Sequence, residues 1–151
     1  MSHITVRQAV LSDIQHIVPL FDAYRQSYGR ASDASAAHEF LLARISKGES
    51  AMFIASIDDV AVGLTQMYPF HSPVALDRIF VLNDLFVLKQ ARNQGVASKL
   101  VSAAIAYAKA MGAVRLSLVT ENADLTAKAL SNSFGWVLNQ EFSIIHFPIT
   151  S

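Results

Sequence analysis

Apolar residues in this chain recur at two spacings, and the switches between them mark its elements. In "HITVRQAV", Ile4, Val6 and Ala9 alternate with polar neighbours, the period of a strand with one buried face. The spacing then lengthens: Ile14, Ile17, Val18, Phe21 and Tyr24 share one face of a helix opened by Ser12 and Asp13. Pro19 lies inside that helix and should bend it or leave one carbonyl unpaired. The polar stretch "YGRASDASAA" reads as a loop ending in a cap at Ser35, followed by a second helix through Phe40, Leu41 and Ile45 that Gly48 stops. "AMFIASI" and "AVGLTQMY" flank a short acidic turn, which predicts an antiparallel hairpin over 51–68, and Pro69 to Pro73 reads as a loop.

Residues 78–88 form a nearly continuous apolar run, as expected of a strand buried on both faces, interrupted at Asn83 and Asp84. From Gly95 the period is helical again, through Ala97, Leu100, Val101, Ala104, Ile105 and Ala108, until Gly112. "VRLSLVT" predicts another strand, 124–133 a short helix, and "FSIIHFPI" a last strand whose Pro148 favours its end. The order β-α-α-β-β-β-α-β-α-β predicts one α/β domain over 1–151, a mixed sheet flanked by helices.

Composition narrows the chemistry. Twelve basic and twelve acidic residues leave no net field to draw in nucleic acid or anionic lipid, so a charged ligand must be held locally. With no cysteine, disulfides, thiolate metal sites and a cysteine nucleophile are excluded. The five histidines, at 3, 16, 38, 71 and 146, lack metal-ligand spacing, and no metal is expected. The N-terminus lacks the basic-then-apolar order of a signal peptide and no run is long enough to span a bilayer, which leads us to expect a cytoplasmic protein without membrane contact.

The stretch "LNDLFVLKQARNQGVASKL" raises a sharper question. A strand runs through Lys89, Gln90 and Ala91 into Arg92, a glycine and small residues, and then a helix begins. A helix N-terminus leaves about four amides unpaired and carries roughly half a positive charge. Gly95 and Ala97 are small enough to let a phosphate approach, and Arg92 offers a charge-assisted contact. Alternatively Gly95 only turns the chain and Arg92 is a solvated side chain. Neither G-x-x-x-x-G-K-[ST] nor G-x-G-x-x-G is present, which removes support for ordinary nucleotide hydrolysis and dinucleotide binding.

The segment from Leu82 to Thr120 resembles the central motif of the GNAT family of acetyl-CoA-dependent N-acetyltransferases, a strand followed by [QR]-x-x-G-x-[GA] opening a long helix. "MYPFHSPVAL" before it and "ADLTAKALSNSFGWV" after it extend the likeness over most of the chain. The resemblance implies a GNAT-like α/β fold: a mixed, mostly antiparallel sheet flanked by helices, with a splayed central strand pair. It implies acetyl-CoA as co-substrate, a small primary amine as acceptor and a possible homodimer, while the charge balance leads us to expect no nucleic acid. By the same resemblance, backbone groups of Leu85, Phe86 and Val87 hold the pantetheine arm and the acetyl carbonyl. The diphosphate rests on the turn made of Arg92, Asn93, Gln94, Gly95, Val96, Ala97 and Ser98. Asp124 and Ala127 are carried over from the last motif, with Lys128 as the cation that could offset the Asp124 charge near the phosphates, and the Asn83–Asp84 interruption falls at a bulge that parts two strands.

Catalysis is where the sequence departs from the family. Counting back from Gly135 and Trp136, the position of the usual tyrosine acid holds Ser131, and the asparagine position holds Asp124. A positioned acid contributes about 10²–10⁴-fold. Transfer could therefore persist with Ser131 holding a water, or with Tyr68 or His146 as donor, although a packing or surface role is the more expected one for each of those two. Asp84 is the best-placed carboxylate to deprotonate the amine, unless it serves only to hydrogen-bond the bulge, and Glu121 is a weaker candidate. Asp124 reads more readily as the cap of the helix expected to run to Ser133. A second functional class stays open, a coenzyme-binding sensor or interaction module without turnover, which Ser131 favours.

Overall fold

The computed structural model describes residues 3–119, 136 and 144–149. The chain divides into two compact units, Met1–Val119 and Thr120–Ser151. Every strand and helix described below belongs to the first. Strands β1 (Ile4–Gln8), β2 (Ala51–Ile57), β3 (Val60–Ser72), β4 (Asp77–Val87) and β5 (Leu116–Leu118) form one sheet in sequence order. Pairing is antiparallel except between β4 and β5. Helices α1 (Ile14–Ser27), α2 (Ala34–Ser46) and α3 (Val96–Ala110) complete the unit.

The two faces of the sheet bury different helices. On one, Ile17, Phe21, Ala37 and Leu41 of α1 and α2 meet Met52, Ile54 and Leu64. On the other, Val96, Leu100 and Ala104 of α3 meet Phe53, Val62, Phe80 and Leu82. Gly63 sets how closely α3 lies on the sheet. A Cβ there would stand 3.1 Å from the Phe86 carbonyl oxygen, 3.1 Å from Val96 and 3.2 Å from Leu100.

Three expectations are corrected. The cap of α2 is Asp33, whose carboxylate accepts from the Ala36 amide at 3.0 Å; Ser35 lies inside the first turn. The stretch Pro69 to Pro73 is mostly not a loop, because β3 continues to Ser72 and Pro69 pairs with Phe80. The proline is tolerated because β2 ends opposite Met67, so the side on which Pro69 lacks a donor has no strand to bond. Residues 144–149, within the expected last strand, are described outside any strand, and the helix expected over 124–133 lies outside the described residues. Pro19 does sit within α1, where it leaves the Gln15 carbonyl without its helical amide.

Candidate functional site

The apolar run of β4 is interrupted at Asn83 because the strand carries a bulge there: Gln66 pairs with Asp84, yet Met67 pairs with Leu82. One extra residue reverses everything that alternates with period 2. Before the bulge, the even-numbered backbone groups of β4 face β5. Arg78 O accepts from Val114 N–H at 2.9 Å, Phe80 N–H donates to Arg115 O at 3.0 Å, and Leu82 O accepts from Val119 N–H at 3.2 Å. After it, Leu88 N–H donates to Val62 O at 2.8 Å, so alternation turns Phe86 towards β3 and aims the N–H and C=O of Leu85 and Val87 outward. The pairing with β5 covers only Phe80 to Leu82, so that outward edge has no strand partner among the described residues.

The start of α3 stands beside this edge. Gly95 is the N-cap with φ +86°, and the helix has no side-chain cap, so the amides of Gly95, Val96, Ala97 and Ser98 lack intrahelical partners. Asn93 also has positive φ, at 63°. A Cβ built on Gly95 would meet nothing within 4 Å, because it would point into open space. Between strand edge and helix lies a cleft of about 490 Å³, lined by Leu85, Phe86 and Val87 on one side and by Arg92, Asn93, Gly95, Val96, Ala97 and Ser98 on the other. Thus nine of the ten described residues expected to hold a coenzyme border one cavity, and Gln94 alone turns elsewhere, its amide donating to Gln90 O at 3.4 Å.

Arg92 is the only charged residue on this lining among the described residues. Its Nε donates to Val87 O at 3.0 Å, which ties the turn to the strand end and leaves the terminal guanidinium nitrogens for an anion. A row of outward main-chain groups, a capless helix start, an arginine and no carboxylate among the described lining residues suit an amide-rich arm ending in a diphosphate. A wider depression of about 660 Å³ lies between the β3–β4 turn and Met111, with His71, Asp77 and Arg78 on its walls. Its described lining includes no helix N-terminus, and we place the site at the smaller cleft.

The bulge also decides where Asp84 points. Phe80 and Leu82 lie under α3, whereas Asp84 reaches α1 on the opposite face. Its Oδ1 accepts from the Tyr24 hydroxyl at 2.7 Å and its Oδ2 from Gln66 Nε2 at 3.2 Å. Ser50 Oγ donates to Gln66 Oε1 at 2.7 Å, which fixes the amide with its NH₂ towards the carboxylate. Burial raises the Asp84 pKa, and the Tyr24 and Gln66 donors only partly offset it. Tyr68 is half-buried, and burial first, then the Asp84 charge, pushes its phenol up to about 12, so it is protonated at neutral pH.

Tyr24 and Gln66 are functional candidates that sequence reasoning missed. Tyr24 is legible as part of the apolar face of α1, but its hydroxyl contact spans 60 residues of sequence and no local pattern signals it. A glutamine within the apolar run of β3 was the one available sign for Gln66. His146 lies in the second unit, and Glu121, Asp124, Ala127, Lys128 and Ser131 lie outside the described residues. Among the described residues no three His, Asp or Glu side chains gather to hold a metal.

Comparisons with known proteins bear on the family and the fold. Residues 17–136 match the Acetyltransferase (GNAT) family. Over 142 residues the chain is 41% identical to the uncharacterized N-acetyltransferase YhfO of Bacillus subtilis (strain 168), covering 94% of each. A solved structure of a probable acetyltransferase superposes with TM-score 0.86 at 33% identity, covering 97% of this chain and 99% of that one. The aminoglycoside N-acetyltransferase AAC(6')-Iy, solved in complex with CoA, shares the fold with TM-score 0.77 at 23% identity, covering 99% of this chain and 97% of that one. The motif at Arg92 to Ala97, the mostly antiparallel sheet and these matches lead to one assignment: the chain belongs to the GNAT family of acetyltransferases.

Proposed function

We propose that this acetyltransferase moves an acetyl group from acetyl-CoA, held in the cleft between β4 and α3, to a primary amine of a small molecule that reaches β4 from the α1 side. The observation that carries the reading is the outward-facing backbone of Leu85 and Val87 beside the capless start of α3. Acetyl-CoA would supply the acetyl group as a thioester. The main-chain groups of Leu85 and Val87 would hold its arm as a neighbouring strand would, and the amides of Asn93 and of Gly95 to Ser98, with Arg92, would hold its diphosphate. Asp124, Ala127 and Lys128 would complete the coenzyme contacts.

Val87 N–H, fixed in a strand, is a preorganised donor for negative charge developing on the acetyl oxygen. Asp84 serves as base, since an amine with pKa about 10.4 is mostly protonated near neutrality and must lose a proton before it attacks. The buried carboxylate has the raised proton affinity this task needs. Tyr68, protonated and without a hydrogen bond to its hydroxyl among the described residues, is the donor we assign to the departing thiolate, with Ser131 as the alternative.

Of the four carboxylates in or near α1 and α2, Glu39 is exposed, while Asp22, Asp33 and Glu49 have partners that favour a monoamine over a polycation. Asp22 accepts from Ser32 Oγ, from Asp33 N–H at 2.8 Å and from Gln26 Nε2 at 3.2 Å, and these donors, Ser32 first, lower its pKa. Asp33 caps α2, and Glu49 pairs with Arg44 at 3.4 Å. These three are engaged within the protein.

The test is thermal stabilisation by acetyl-CoA, followed by free-thiol release on adding an alkyl monoamine, an aralkyl monoamine, an amino acid, spermidine or kanamycin. We expect stabilisation, and thiol release with a monoamine. Stabilisation without release from any amine would replace the enzyme by a coenzyme-binding sensor, the reading Ser131 favours, and no stabilisation would remove the site itself.

A further inference from the structure

We propose that Tyr24 carries the acceptor's proton to Asp84, so that the phenol of α1 and the carboxylate of β4 act as one base. The inference rests on the reading of Asp84 as the base. Asp84 is only 9% exposed, and each of its oxygens already has a protein donor, Tyr24 on Oδ1 and Gln66 on Oδ2. Of these donors only the phenol can both give a proton and take one. The Gln66 amide is held donor-first by Ser50 and has no basic lone pair on nitrogen. The Tyr24 ring is held against Phe86, with centroids 5.6 Å apart, and edge-on to Tyr28 at 5.2 Å, which keeps its hydroxyl on the carboxylate.

The transfer balances without any further reagent. One N–H bond of the ammonium breaks as a new O–H bond forms on the Tyr24 oxygen, while the original phenolic proton passes to Asp84 Oδ1. A neutral amine, an intact phenol and a neutral carboxylic acid result, and the acid returns its proton to water after acyl transfer. No phenolate is formed, in keeping with the burial and neighbouring carboxylate that push Tyr24 ionisation far above the neutral range. The titratable groups facing Asp84 are Tyr24 from α1 and Tyr68 from β3, and Tyr28, at the end of α1, bears on Tyr24. Arg44 of α2 and Glu49 after it bear on Tyr68 instead.

The experiment compares wild type, Tyr24→Phe, Asp84→Asn and the double variant, using the panel amine that releases thiol fastest in wild type, with acetyl-CoA affinity measured by calorimetry as the control for folding. Both single variants should lose about 10²-fold or more in kcat at pH 7 with unchanged coenzyme affinity, and the double variant should be no worse than the singles within about threefold. Each deficit should shrink as pH rises towards 9.5 and solution supplies the neutral amine, a recovery that simple structural damage would not show. Tyr24→Phe retaining kcat within about threefold while Asp84→Asn loses it would overturn the hand-off and leave the Asp84 base standing. So would a double-variant loss equal to the product of the two single losses, or a deficit independent of pH. Asp84→Asn retaining activity would overturn both readings, and thiol release with no amine would remove the transfer on which they rest.

Discussion

Asp84 is held in a place that favours its protonated form, because burial outweighs the two hydrogen bonds that favour its charge. The sign of the consequences follows. As a base it works when ionised, so kcat/KM should rise with pH through an acid limb lying above the ordinary carboxylate value of about 3.9. For stability, a carboxylate whose folded pKa is raised contributes most below its unfolded pKa, and that contribution is lost as pH rises through the folded pKa. At pH 8 the charged Asp84 therefore weighs against the fold. Asp84→Asn keeps an acceptor for Tyr24 but turns its NH₂ towards the Gln66 NH₂, a cost that does not depend on pH, so its melting temperature relative to wild type should be higher at pH 8 than at pH 5. Thermal denaturation at both pH values checks this, and a difference that is the same at the two pH values, or larger in the variant's favour at pH 5, would contradict it. Asp84 was readable in the sequence as a charge breaking an apolar run. Its partners were not, since periodicity assigns Tyr24 a helix face but cannot say which carboxylate lies across it.

At the scale of elements, a one-residue bulge and a glycine create the cleft. The bulge at Asn83 turns Leu85 and Val87 outward, and Gly63 lets Val96 and Leu100 settle close to β3, so that α3 begins beside that edge. Gly63→Ala would drive a methyl into a carbonyl oxygen and two side chains, lifting the start of α3 by a few tenths of an ångström. We expect a loss of about 1–3 kcal/mol in denaturant unfolding together with weaker acetyl-CoA binding. An unchanged affinity would separate the helix position from the site. Local signals such as Gly48, Gly95 and Gly112 were legible because each imposes a positive φ that its neighbours announce. The role of Gly63 and the passage of β3 through Pro69 were not, because both depend on what lies alongside, α3 in one case and the early end of β2 in the other.

Across the whole first unit, β4 has two tasks that the sheet keeps apart. Its outward main chain lines the cleft on the α3 side, while the Asp84 side chain reaches α1 on the opposite face. In this account a coenzyme and an amine approach one strand from different directions, and the bulge sets the phase for both. The motif from Arg92 to Ala97 was legible because helix starts that hold anions need small residues at fixed positions; the face on which the amine arrives depends on α1 and α2, whose sequences announce only packing. A crystal structure of the protein with CoA tests the central claim most directly. The account predicts the pantetheine arm hydrogen-bonded to Leu85 and Val87 main-chain groups and the diphosphate on the amides of Gly95 to Ser98. A nucleotide seated away from the start of α3, or an arm bound without the β4 edge, would contradict it.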